Sequence, residues 1–132
     1  MSSPTQAQLV DVAILDGYRV LQDEGEPDII TEFIDTFLED LPPRLAAIRS
    51  AVEGRNAREI KSAAHALKGS SASIGAAQLA ALCSTLELMG KTGDLASGTT
   101  LLAEIETATE AARVALAGYR DPAVALPLGA RA

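Results

Sequence analysis

The sequence predicts an all-α chain, and three observations carry that expectation. Alanine and leucine, both good helix formers, dominate the composition. Aromatic residues are nearly absent, with two Phe, two Tyr and no Trp. Apolar positions recur at spacings of three and four, whereas the alternating β-branched and aromatic runs that announce strands do not occur. At 132 residues and 48% hydrophobic content, the chain is long enough for one domain with a real core.

Each element can be placed in order. Residues 1–8 read as a flexible leader. A short helix is expected over about residues 9–22, with Val12, Leu15 and Val20 inward and Gly17 weakening it. Asp23-Glu24-Gly25-Glu26-Pro27 is a turn cluster. A second helix starts near Pro27 or Asp28, where proline is tolerated and early acids suit the helix dipole. Its stripe is Ile30, Phe33, Ile34, Phe37, Leu38 and Leu41. Pro42-Pro43 interrupts that stripe, but Leu45, Ile48 and Val52 resume it, which favours one kinked, continuous helix.

Gly54-Arg55-Asn56 is a tight connection. A third helix is expected over about residues 57–72, closed by Gly75. The fourth spans about residues 76–90, with Leu79, Leu82, Leu86 and Met89 inward. After the turn Lys91-Thr92-Gly93-Asp94, a fifth runs over about residues 95–117, with Leu101, Leu102, Ile105 and Val114 packing. Residues 119–132, with two prolines and no periodicity, read as a disordered tail. The expected architecture for residues 9–118 is an antiparallel up-down four-helix bundle with a short additional N-terminal helix.

The net charge of −7 argues against nucleic acid, whose binding rests on clustered Lys and Arg. One Cys and one His exclude an internal disulfide and a His/Cys metal site. Cys83, between Leu82 and Leu86, reads as a buried, inert thiol. No signal-peptide pattern and no membrane-length apolar run is present, so a cytoplasmic protein is expected.

His65 is on the wrong face of the third helix for a core residue. Ile60, Ala64, Leu67, Ser71 and Ile74 form one narrow stripe, and His65 projects about 140° from Ile60. Its neighbours one turn away are Lys61, Lys68 and Gly69. An exposed imidazole flanked by two ammonium groups, beside a glycine that leaves backbone uncovered, suits a phosphate acceptor. Ser70 and Ser71 read as residues that bond back to the helix and permit close packing. Glu87 and Lys91 could border the imidazole from the fourth helix. Glu87 either orients the ring or is simply a solvated acid, and the second is the default for a lone acid.

The run His65-Ala66-Leu67-Lys68-Gly69-Ser70-Ser71, followed by Ile74-Gly75-Ala76, resembles the signature of histidine-containing phosphotransfer (HPt) domains. So do residues 33–40 upstream, the Leu79 to Leu86 helix and Gly93-Asp94 downstream. The resemblance covers roughly residues 10–117. It implies a four-helix bundle with an exposed, phosphorylatable histidine, working as a relay between receiver-domain aspartates in two-component signalling. It makes His65 the phosphorylated residue and Lys68 and Gly69 its customary neighbours.

The residue types suit that chemistry. A neutral imidazole nitrogen is nucleophilic near neutral pH. Phosphoryl transfer needs mainly positioning and charge neutralisation, which Lys68, and Lys61 on the other side, could supply. Glycine is disfavoured inside a helix, so Gly69 suggests clearance for a partner. The chain has no metal cluster or phosphate-binding loop of its own. Its partners, response-regulator receiver domains and a hybrid histidine kinase, are expected to bring Mg²⁺. A monomeric carrier without autonomous catalytic activity is therefore expected. Two other readings stay open: a helical docking or scaffold module that is not phosphorylated, and the phosphoacceptor domain of a chemotaxis-type kinase.

Overall fold

A computed structural model describes residues 12–20 and 29–120. The expected leader and most of the expected tail lie outside the described residues, as do the ends of the first helix. Five helices are found among them: α1 (Val12–Val20), α2 (Ile29–Glu53), α3 (Ala57–Ser73), α4 (Ala77–Thr92) and α5 (Gly98–Ala117). Helices α2 to α5 close a ring, because α2 packs on α3 and α5, and α4 packs on the same two. Short links make neighbours antiparallel. Helix α1 lies against α2. No helix of the described residues is long and apolar enough to cross a membrane.

Helix α2 runs unbroken through Pro42 and Pro43. Both prolines are exposed, on the side where water can reach carbonyls that lack an amide partner. Arg55, at φ 51°, takes the left-handed turn after α2. Asn56 then caps α3, its side chain accepting from the Glu59 amide at 3.1 Å. At the far end of α3, Gly75 (φ 84°) closes the helix as expected. The Gly75 amide bonds to Ala72 and the Ala76 amide to Ser71, the paired bonds of a Schellman motif. Gly93 (φ 77°) ends α4, its amide bonded to the Met89 carbonyl.

The core is built from Ile30, Ile34, Ile48, Ile60, Leu67, Leu79, Leu86, Ile105 and Leu116, all almost fully buried. Cys83 is buried among them, and burial pushes its thiol up to about 12. Two expected core residues are not there. Phe33 is 38% exposed: it sits where α1 crosses α2 and meets Tyr18 edge to face, at 4.9 Å between ring centres. Val114 is 60% exposed, because the buried stripe of α5 runs Leu101, Ile105, Ala108, Ala112 and Ala115 at spacings of four and three. Alanines, not Val114, continue that stripe. Leu82 and Met89 are half-buried at its edge on α4. Helix α5 begins at Gly98 instead of residue 95, since Asp94 accepts from the Ala96 amide and holds a turn first.

Tyr119 and Arg120, which the composition assigns to the tail, pack on the bundle. Tyr119 lies against the core. Arg120 donates to both carboxylate oxygens of Asp35 on α2, at 2.7 and 2.8 Å, with side chains only 7% and 15% exposed. This fork ties the end of α5 to α2. Removing one member of such a pair strands its partner away from water. Asp35→Ala should lower unfolding stability by about 2–3 kcal/mol in urea titration. Glu110→Ala, which breaks the exposed Arg113 pair, should change it by less than about 0.5 kcal/mol. Equal effects would show that the Arg120–Asp35 fork contributes no more than a surface pair.

Candidate functional site

His65 stands midway along α3, with its side chain 68% exposed. Ile60, Ala64, Leu67 and Ser71 face the core from the same helix. Their spacing turns His65 outward, as the helical wheel requires.

What the ring meets is supplied by α4. Glu87 is buried, with 4% of its surface exposed, although it is a carboxylate. Its Oε2 lies 2.9 Å from His65 Nδ1, and Lys68 donates to its Oε1 at 2.5 Å. Lys91, one turn further along α4, brings its ammonium to 3.9 Å. The hydrogen bond from Lys68 holds the Glu87 carboxyl down at about 2, against the burial that would raise it, with His65 adding to the lowering. Glu87 is therefore ionised at neutral pH. An ionised carboxylate only accepts hydrogen bonds. The neutral imidazole must then carry its proton on Nδ1, which leaves the lone pair on Nε2.

Glu87 is thus not the solvated acid that would be the default for a lone surface residue. The signal was present in its spacing: Leu79, Cys83 and Leu86 face the core, and Glu87 follows Cys83 by one turn. A carboxylate on that edge is taken out of water and needs cations to pair with it, which Lys68 and Lys91 supply.

The other expected residues divide. Lys68 joins the cluster through Glu87. Lys61 is exposed, one turn before His65, and no ion pair ties it to Glu87. Gly69 is exposed, and a Cβ there would have nothing within 4 Å, so no internal packing demands glycine. Ser70 bonds back to the Leu67 carbonyl at 3.2 Å, and Ser71 is fully buried in the packed stripe.

Beyond Gly69, a groove between α1, α2 and the end of α3 is lined by Tyr18, Phe33, Phe37, Ser70 and Ser73. Tyr18 donates to the Ser73 carbonyl at 3.1 Å and closes its end. A larger open groove runs along α5 past Glu106, Glu110 and Val114, on an element that contributes nothing to the histidine cluster. Among the described residues, no group of three His, Cys, Asp or Glu side chains could hold a metal ion.

Residues 32–115, well over half of the chain, match the family model of the Hpt domain. The chain is similar to histidine-containing phosphotransfer protein 5 of Arabidopsis thaliana, with 34% identity over 68 residues, 49% of this chain and 43% of that protein. Multistep phosphorelay regulator 1 of Schizosaccharomyces pombe is 25% identical over 83 residues, 63% of this chain and 28% of that protein. The chain thus spans less than half the length of these curated relatives. Among solved structures, it resembles histidine-containing phosphotransfer protein B of Pseudomonas aeruginosa PAO1. The TM-score is 0.79 at 26% identity, covering 86% of this chain and 96% of that one. With a helical bundle, an outward histidine midway along one helix and a family model that spans both, the chain belongs to the Hpt domain family.

Proposed function

We propose that this chain is a phosphorelay intermediate in which His65 accepts a phosphoryl group from a receiver-domain aspartate and passes it to another receiver. One observation supports this above others. An exposed imidazole has its Nδ1 proton held by a buried, ionised carboxylate, so Nε2 is the nucleophile.

The transfer follows from that arrangement. The Nε2 lone pair forms the new N–P bond as the aspartyl O–P bond breaks, and the electron pair leaves with the aspartate carboxylate. No proton has to move, because Nε2 carries none. The ring keeps its Nδ1 proton and gains positive character, which the Glu87 carboxylate offsets across the 2.9 Å hydrogen bond. Lys68, one turn from His65, can swing from Glu87 to the phosphoryl oxygens. Lys61 offers a second ammonium from the preceding turn. Gly69 keeps the approach open, and the groove at Tyr18 and Phe33 gives the receiver an apolar contact beside it. Mg²⁺ and the acidic pocket that neutralise the phosphoryl group in flight belong to the receiver. This chain then acts as a carrier, without autonomous catalytic activity.

Purified protein incubated with phosphorylated receiver domains and Mg²⁺ should gain acid-labile, alkali-stable label, and His65→Gln should gain none while keeping its helical signal. Label on the His65→Gln protein would move the acceptor elsewhere.

The Glu87 carboxyl makes a second prediction. It sits at about 2 in the folded chain against 4.5 for a free side chain, so the unfolded state binds more protons between those values. Its stabilising contribution is complete above about pH 4.5 and is lost as the pH falls towards 2. Urea unfolding between those limits should show wild type losing stability more steeply than Glu87→Gln. Parallel slopes would mean that the carboxylate is not held by Lys68 and His65.

A further inference from the structure

We propose that Gly90 is a positioning residue for the phosphoacceptor: its missing side chain lets α4 approach α3 closely enough for Glu87 to hold His65. The inference rests on the reading of Glu87 as the group that orients the imidazole, and it adds what brings Glu87 there.

Gly90 lies inside α4, three residues after Glu87, and its φ is not in the left-handed region. Its conformation therefore does not require glycine, and alanine would be the better helix former. The space around it does require glycine. A Cβ at this position would stand 2.6 Å from the Lys61 backbone nitrogen, 2.7 Å from the Ala57 carbonyl oxygen and 2.9 Å from the Lys61 Cα. All three are backbone atoms, so no rotamer change relieves the contact. The two helices meet here main chain to main chain, one turn from the ion-pair cluster on both sides.

The consequence for the site is a matter of distance. Bringing the closest contact to an ordinary 3.4 Å requires α3 and α4 to separate locally by about 0.8 Å. The His65–Glu87 bond is 2.9 Å, and a displacement of that size carries it past hydrogen-bonding range. Lys68 has a four-carbon stem that can follow Glu87. The shorter histidine side chain has less slack. A methyl group at position 90 should thus release the ring while leaving the lysine pair in place. Gly69 is the opposite case: a Cβ there is unopposed within the chain, so only a partner would notice it.

The test is ¹⁵N NMR of the imidazole at a pH where it is neutral, on wild type, Gly90→Ala, Glu87→Ala, the double variant and Ile105→Val, a core change on α5. Wild type should show the proton on Nδ1. Gly90→Ala should shift towards the Nε2-protonated form in the same direction as Glu87→Ala. The double variant should go no further than Glu87→Ala alone, because the glycine acts through the carboxylate. Ile105→Val should keep the wild-type pattern. Phosphoryl acceptance by Gly90→Ala should slow about tenfold, as expected for a sub-ångström misplacement of a reacting group.

A wild-type tautomer in Gly90→Ala, or a matching shift in Ile105→Val, overturns the role of Gly90. So does failure of Gly90→Ala to fold even with sucrose, since the glycine would then serve the whole fold and not the site. An unchanged ring in Glu87→Ala overturns the reading of Glu87 itself. In wild type, a nuclear Overhauser contact between the Gly90 Hα and the Lys61 amide should be strong, and its absence overturns the close approach.

Discussion

A buried carboxylate shared between two helices is the interaction on which this molecule's site depends. Glu87 belongs to α4, and the groups it holds belong to α3. Neither helix alone would fix the imidazole, because exposed side chains on one helix keep their rotamer freedom. The carboxylate fixes which ring nitrogen carries the proton, and so which nitrogen is free to react. Burial alone would favour its neutral form, but the hydrogen bond from Lys68 outweighs burial and holds the carboxyl near 2.

The rest of the bundle brings those helices into register. Their shared apolar stripes, Ile60, Ala64 and Leu67 on one side and Leu79, Cys83 and Leu86 on the other, set the rotation of each helix. Asn56 and Gly75 set where α3 begins and ends. Helices α2 and α5 close the ring behind them, joined at one end by Arg120 and Asp35. The outward histidine is thus a by-product of an inward stripe: four residues of α3 face the core, and His65 lies off that line. In the proposed relay such a site needs no deep cavity, since the phosphoryl group would arrive and leave on another protein. What it needs is an exposed nucleophile, a nearby cation and a clear approach, and those lie within one turn of α3.

Much of this was legible in the sequence. Period-3.6 patterning named the helices, and it placed His65 off the apolar stripe beside Lys68 and Gly69, where the structure has an exposed imidazole. The misreadings have physical causes. Helical spacing puts Phe33 in the apolar stripe of α2, but at the stripe's edge a T-shaped contact with Tyr18 lets it stay at the surface. Val114 drew the stripe away from Ala112 and Ala115, since alanine carries almost no hydrophobic signal yet packs where helices come close. Arg120 and Asp35 are 85 positions apart, beyond any local pattern. Glu87 and Gly90 show the same difficulty at the site: an acid and a glycine in a helix read as surface and stop signals. Their spacing from Cys83 and Leu86 places both on the face that meets α3, but their partners there are known only once the two helices are set side by side.

If Glu87 holds the Nδ1 proton, Nε2 is the nitrogen left to take the phosphoryl group. The most direct measurement is ³¹P–¹⁵N NMR of the ¹⁵N-histidine-labelled, phosphorylated protein, which identifies the nitrogen bonded to phosphorus. Phosphorus should be found on Nε2 of His65 with the Nδ1 proton still present. Phosphorus on Nδ1, or on another residue, would contradict it.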